Sequence, residues 1–345
     1  MNDEPDSILA PLSALYGAGV AARLALYERG LFRVRRAGRP VVSVGNIAAG
    51  GTGKTPFVRW LAGELLLRSR NPSILTRGYG RSSRGTVVVS DGAGTLATTA
   101  ASGDEAALLA RALPRVPIVA DARRVRAARV AEKLFPAVDL HLLDDGFSHV
   151  ALARDVDIVL LDATNPTAGG ALLPEGRIRE PLTALARADL VVVTKVEGAA
   201  PAEAIELARR YAPGAPVYRA ATHVLGIRDD RGEEVHPRDL PKGTLVAVAG
   251  LAHPGAFFST LDRLGIDVEA RLPYPDHARY GDFRLGKIAR AAEVTGATAV
   301  ITTEKDAVKL AGRLSLPLFR VAIESRVVEP GFLTELAALL TRRPS

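Results

Sequence analysis

The 345-residue chain contains no cysteine. That excludes a disulfide framework, a thiolate zinc site and a sulfur nucleophile, and it suits a reducing cytosol. The six histidines, His141, His149, His223, His236, His253 and His277, show no HExxH or related ligand spacing, which sets aside a histidine-based metal centre. Long apolar runs are also missing. The longest uncharged stretch, Ser7 to Ala22, is interrupted by Pro11, Ser13, Gly17 and Gly19 and falls short of the roughly 18 residues a membrane span needs. The opening residues MNDEPD are acidic where a secretory signal requires positive charge, so the expected location is the cytoplasm. No internal repeat or low-complexity segment is visible.

What is present is an ordinary globular composition, 48% hydrophobic and long enough for roughly two domains. Lys+Arg of 45 against Asp+Glu of 38 leaves a net charge of +7. This suits nucleotides, phosphorylated substrates, nucleic acid or an acidic membrane, and selects none of them. Much of the excess is local: six arginines (Arg23, Arg29, Arg33, Arg35, Arg36, Arg39) and one acid, Glu28, lie between residues 23 and 39. A nucleic-acid binder would want aromatic residues interleaved with the basic ones, and that pattern is lacking.

From Pro40 onward, strand-like and helix-like periods alternate. Apolar, β-branched runs predict strands at 41–44, 73–76, 86–89, 116–120, 139–143, 157–161 and 190–194. Helices are predicted at 56–69, 104–112, 121–134 and 201–211. Continuous apolar strands separated by amphipathic helices predict an α/β fold, a mostly parallel sheet with helices on both faces. A polar passage at 220–241, with a hairpin signal at DDRG, precedes a second set: strands at 244–250, 299–303 and 316–323, and helices near 255–264, 283–295 and 330–341. The expected division is a larger domain over 1–222 and a smaller α/β domain over 223–345, whose last helix packs back on the first.

The stretch GNIAAGGTGKTPF, residues 45–57, lies where a strand gives way to a helix. Gly50, Gly51, Thr52 and Gly53 allow main-chain N–H groups to converge on phosphate oxygens at the positive end of that helix. Lys54 is placed to reach the β- and γ-phosphates, and the Thr55 hydroxyl to hold Mg²⁺. The strict phosphate-loop pattern has glycine where Ala48 stands. In LHLLDDGFSH (140–149), the strand-end pair Asp144 and Asp145 suits a magnesium-binding carboxylate, or equally a turn and helix cap. In SGDEAALLA (102–110), Asp104 and Glu105 open a helix, where acids favour the dipole. A carboxylate there can also take the proton of an attacking hydroxyl. VVVTKVE (191–197) has the outline of the base-reading motif of GTP-binding proteins, with Glu197 in the aspartate position. It keeps open a GTPase or metallochaperone-type switch. YPDHARY (274–280) is a proline-bracketed loop with Asp276, His277 and Tyr280. The segment from about 8 to 36 places Ile8, Leu12, Leu15, Tyr16, Val20, Leu24, Tyr27 and Leu31 at helical steps before the arginines. That composition fits a helix covering a sheet edge or one lying on an anionic membrane.

Taken together, VGNIAAGGTGKTP, LTRGYGR, SGDEAALLA, LLDDGFSH, GRIREP, AGLAHPGAFF, YPDHARY and TTEKDAVKL, in order from about Val44 to Leu310, resemble the tetraacyldisaccharide 4′-kinase (lipid A 4′-kinase) family. The resemblance implies a P-loop NTPase-type domain joined to a smaller α/β domain, with the site in the cleft between them. It further implies transfer of the γ-phosphate of ATP, with Mg²⁺, to the 4′-hydroxyl of a tetraacylated glucosamine disaccharide 1-phosphate. It assigns Asp104 as base, paired with His277; Glu105, Asp144, Asp145 and Thr55 to magnesium; Tyr79 to nucleotide; and Arg179 and Glu180 to nucleotide or acceptor. It also favours a membrane-surface role for the first helix, on the cytoplasmic face of the inner membrane. Two positions depart from the family's usual pattern: Ser148, where glutamine is more common, and Ala278, where a second histidine is.

Overall fold

A computed structural model describes residues 8–241 and 245–342. The acidic opening residues and the first residue of the 244–250 strand lie outside the described residues. The chain begins with α1 (Ala10–Glu28), β1 (Val41–Gly45), α2 (Lys54–Leu67), β2 (Pro72–Thr76), β3 (Val87–Asp91), α3 (Thr99–Ser102) and α4 (Asp104–Ala112). It continues through β4 (Pro117–Ala120), α5 (Arg124–Leu134), β5 (Leu140–Asp144), β6 (Val156–Asp162), β7 (Leu190–Thr194), α6 (Ala202–Tyr211), β8 (Val217–Arg228) and β9 (Glu234–Val235). The remainder is β10 (Leu245–Gly250), α7 (Pro254–Arg263), β11 (Ala270–Tyr274), α8 (Asp282–Thr295), β12 (Ala299–Thr303), α9 (Glu304–Leu310), β13 (Leu318–Val327) and α10 (Phe332–Thr341).

The strands form one sheet in the order β11-β10-β12-β13-β8-β7-β6-β1-β5-β2-β4-β3, with β9 paired to β8. Every pairing in the centre around β1 is parallel; the antiparallel ones involve β3, β9 and the β8–β13 junction. Successive strand residues enter opposite layers. Val42, Leu142, Ile158 and Val192 meet Phe57 and Leu61 of α2, Leu109 of α4 and Leu336 of α10. Val41 and Leu143 instead meet Val125 and Ala128 of α5, while Val159 and Val193 meet Leu207 and Ala208 of α6. This two-sided burial explains why the strands read as unbroken apolar runs.

The passage expected to be a polar connector begins as strand. β8 pairs in parallel with β7 through Val217–Ala220, then antiparallel with β13 as far as Arg228, and turns into β9 across the DDRG hairpin. α10 returns to α2, where the Phe332 ring lies 6.0 Å from Phe57 and 5.7 Å from Trp60.

α1 is held along one side only. Ser13, its single buried residue, donates to Leu172 O at 3.0 Å, and the Tyr16 hydroxyl donates to Arg179 O at 3.1 Å. Leu9, Leu12 and Leu15 are exposed, as are Leu31 and Phe32 beyond its end. Among the described residues, no helix is long and apolar enough to cross a membrane.

Candidate active site

β1 delivers the glycine-rich loop to the carboxyl edge of the sheet, where open α/β folds gather ligands. At Gly45 a Cβ would stand 2.6 Å from Phe147 N, so only glycine lets the loop start pressed against the DDGF turn. The loop is gripped from outside by residues 177–179. Arg179 N–H donates to Ile47 O at 2.7 Å, Arg177 Nε to Ala49 O at 3.1 Å, and the Arg179 guanidinium to Ala48 O at 3.0 and 3.1 Å. Asn46 Nδ2 donates to Thr52 Oγ1 at 2.9 Å, and Thr194 Oγ1 to Thr52 O at 2.9 Å. Among the described residues, no acceptor engages the N–H groups of Gly51, Gly53, Lys54 or Thr55. These amides at the start of α2 form a cradle for anionic oxygens.

Lys54 Nζ donates to Asn46 Oδ1 at 3.1 Å and lies 3.5 Å from Asp145 Oδ1. Asp145 adopts a left-handed backbone (φ 52°) just past β5 and accepts from Arg179 Nη1 at 2.9 Å. Burial alone would raise its pKa, but Lys54, Arg179 and Arg124 outweigh burial and hold it at about 2. Asp144, buried at the end of β5, accepts from Thr76 Oγ1 at 3.2 Å. Burial first, then the charges of Glu105 and Asp145, push it up to about 7. Even with Lys54 and Arg124 close by, burial and the neighbouring acids drive the Asp144 carboxyl toward its neutral form, and a divalent cation placed against these acids fits there. Among the described residues no three His, Cys, Asp or Glu cluster as a self-sufficient metal site. Mg²⁺ in a nucleotide site uses one or two carboxylates, with phosphate and water completing the shell.

α4 brings the second half of the site. Its cap, Gly103, has φ 90°, and a Cβ there would meet Tyr79 O at 2.6 Å, so the RGYGR turn and the GDE segment touch backbone to backbone. Asp104 Oδ2 lies 4.0 Å from His277 Nδ1, and the Tyr79 and His277 rings are 5.1 Å apart. His277 also has a left-handed backbone (φ 57°) and donates its N–H to Asp276 Oδ1 at 2.9 Å. Two lysines of α9, on which the sequence reading placed no role, complete the cluster. Lys305 Nζ is 3.7 Å from Glu105, 2.8 Å from Asp276 and 3.3 Å from His277 Nε2; Lys309 Nζ is 3.5 Å from Asp104. Asn46 and Arg177 lie inside the quoted GNIAAGGTGKTPF and GRIREP stretches but were given no role, because Asn46 acts on Thr52, Lys54 and Arg179 and Arg177 on a loop carbonyl, contacts that residue type does not announce.

Other expected residues lie apart from this cluster. Glu180 is buried and ion-paired with Arg187, whose guanidinium stacks 4.3 Å over Phe147. In TKVE, Lys195 pairs with Asp162, and Glu197 accepts from Thr222 N–H at 3.0 Å, so both side chains are engaged within the fold. A cavity of about 520 Å³ lined by Trp60, Leu67, Leu113 and Glu324 shares no residue with the cluster.

A mostly parallel sheet whose central strand opens into an amide-lined, lysine-bearing loop beside a strand-end carboxylate defines a phosphate-loop nucleotide-binding protein. Residues 5–341 match the tetraacyldisaccharide-1-P 4′-kinase family, and the chain belongs to it. Among curated relatives, a tetraacyldisaccharide 4′-kinase of Anaeromyxobacter sp. (strain Fw109-5) is 46% identical over 310 residues, covering 88% of this chain and 83% of its own. One from Geobacter sulfurreducens is 41% identical over 330 residues, covering 94% and 90%. Among solved structures, LpxK from Aquifex aeolicus in complex with ATP superposes with a TM-score of 0.79 at 33% identity, covering 97% of this chain and 98% of that one.

Proposed function

We infer that the chain is an ATP- and Mg²⁺-dependent kinase that transfers the γ-phosphate of ATP to the 4′-hydroxyl of a tetraacylated glucosamine disaccharide 1-phosphate, a lipid A precursor, giving lipid IVA. The observation that carries this reading is the family match over 5–341, which spans the unengaged loop amides and Asp104 alike. Bound Mg·ATP supplies the phosphoryl group and a divalent charge on its oxygens. The N–H groups of Gly51, Gly53 and Lys54, with the Lys54 ammonium, bind the phosphate chain and stabilise the charge that spreads during transfer. Asp144, Asp145, Glu105 and the Thr55 hydroxyl would hold the cation. Asp104, at the positive end of α4, accepts the proton as the sugar oxygen bonds to phosphorus and the β–γ bridging bond breaks; His277 orients that carboxylate. Tyr79 and Arg179 line the approach to the loop, and Glu180 fixes the segment that carries Arg179. Division of the chain near residue 222 into a phosphate-loop lobe and a smaller lobe bearing His277 belongs to the same reading.

The acceptor is a lipid, and α1 is proposed as the part that meets the bilayer on the cytoplasmic face of the inner membrane. Ile8 is 93% exposed and Leu15 71%, and the six arginines of 23–39 are exposed too. Each arginine near an anionic surface adds about 1 kcal/mol.

The test is transfer from γ-labelled Mg·ATP to lipid A disaccharide 1-phosphate in detergent micelles, against water alone. Labelled lipid is expected. Release of label only as inorganic phosphate, with guanine nucleotides preferred, would point to the nucleotide-switch reading instead. Asp104→Ala is expected to lower turnover by about 10²–10⁴-fold. Near-normal turnover would remove Asp104 from the role of base.

A further inference from the structure

We propose that Lys309 is a positioning residue for phosphoryl transfer, holding the Asp104 carboxylate in register with the His277 loop. This rests on the reading of Asp104 as base. α9 is seven residues long, and its start is fixed: Asp306 N–H donates to Thr303 Oγ1 at 3.1 Å, and Asp306 Oδ2 accepts from Thr303 Oγ1 at 2.8 Å and Gly250 N–H at 2.7 Å. Asp306 is fully buried, which makes it an immobile anion. One turn on, Lys309 Nζ lies 3.0 Å from Asp306 Oδ1, donates to Ala278 O at 3.1 Å, sits 5.3 Å above the Tyr280 ring and reaches Asp104 Oδ2 at 3.5 Å.

Lys309 is the counter-ion of the Asp306 oxygen that takes neither of those hydrogen bonds, but that role alone does not account for its further contacts with Ala278 O and Asp104. The pairing of the two lysines does. Lys305 and Lys309 stand one turn apart, and each ties one of the adjacent acids Asp104 and Glu105 to the 276–278 loop. Lys305 joins Glu105 to Asp276 and His277; Lys309 joins Asp104 to the Ala278 carbonyl. Lys309 is nearer to Asp104 than His277 is, at 3.5 against 4.0 Å. α9 therefore sets where Asp104 lies relative to the loop that carries His277. Because Lys309 makes no contact with the phosphate loop, its removal is expected to slow the chemical step and leave substrate binding intact.

The experiment is a double-mutant cycle in the lipid kinase assay with the full chain. Lys309→Met is expected to lower kcat about 10²-fold, the scale of a misplacement of about 1 Å, with KM for ATP and for lipid unchanged within about threefold. In an Asp104→Asn background, Lys309→Met should lower kcat no further. The proposal is overturned if Lys309→Met retains parental kcat, or if its full effect persists in the Asp104→Asn background. Should Lys309→Met fail to fold, Lys309→Gln, which keeps a donor for Ala278 O, enters the same cycle. Failure of both to fold would assign Lys309 to stability alone and equally overturn the proposal. Near-parental turnover of Asp104→Asn by itself is a separate failure, that of the base assignment.

Discussion

Lys54 and Asp145 lie 3.5 Å apart at the mouth of the phosphate loop, and the ammonium helps hold the Asp145 carboxyl in its charged form. Lys54→Met removes the ammonium expected to face the transferred group, and kcat/KM for ATP should fall about 10²–10³-fold in the kinase assay. Unchanged kcat/KM would mean that the loop amides suffice. His149 carries a pH dependence. Burial, followed by repulsion from Arg124, Arg154, Arg23 and Arg77, lowers it to about 4, against an ordinary value of 6.5. The unfolded chain thus takes up a proton at His149 between about pH 6.5 and 4 that the folded chain refuses. Stability should fall as pH drops through that window, by on the order of 1 kcal/mol per pH unit. His141 acts in the same direction through burial, opposed by Glu132. Urea unfolding at pH 7.5 and 5 should show a smaller acid loss for His149→Phe than for the parent; equal losses would remove His149 as a cause. At this scale Lys54, Thr55 and the Asp144–Asp145 pair were legible because their chemistry is local, a loop or a strand end. Lys309 was not: of its two acid partners Asp306 is local, but Asp104 lies far off in the chain, and lysines one turn apart read as a solvated helix face.

Among the elements, α1 yields the sharpest expectation. Ser13 and Tyr16 dock one side of it, and Leu12 and Leu15 remain on the open side. Burying one leucine in a bilayer is worth about 1.5–3 kcal/mol, so Leu12→Glu with Leu15→Glu should weaken binding to anionic vesicles by at least about tenfold. Turnover of detergent-dispersed acceptor should stay near the parental value. Flotation that is unaltered would place the membrane contact elsewhere. The central strands were readable because both their faces are buried. β11 was overlooked because Arg271 and Pro273 interrupt it, and it tolerates them as the outermost strand of the sheet, where proline's missing N–H costs no ladder bond. β8 was read as connector from Ala220 onward because exposed positions dilute its apolar pattern. α9 has seven residues, too few to display a helical period.

Over the whole molecule, α2 and α9 meet through a buried ion pair. Arg59 of α2 contacts Glu304 of α9 at 2.6 Å, and both side chains are largely out of solvent. Burial raises the Glu304 pKa, and Arg59 works against that rise. Arg59→Met strands the acid, with an expected cost of about 3–5 kcal/mol in urea unfolding, whereas Arg59→Met with Glu304→Gln should cost less than the separate changes added together. Strict additivity would show that the pair is not coupled. The shared strand β8 has a mechanical consequence. Its first residues belong to the ladder of β7 and its remainder to that of β13, with a register irregularity between Ala322 and Ile323. Among the described residues, the strands on the phosphate-loop side and those on the His277 side belong to one continuous sheet. Relative travel of Asp104 and His277 is therefore expected to draw on the torsion of this woven ribbon, as in a spring wound a fraction of a turn.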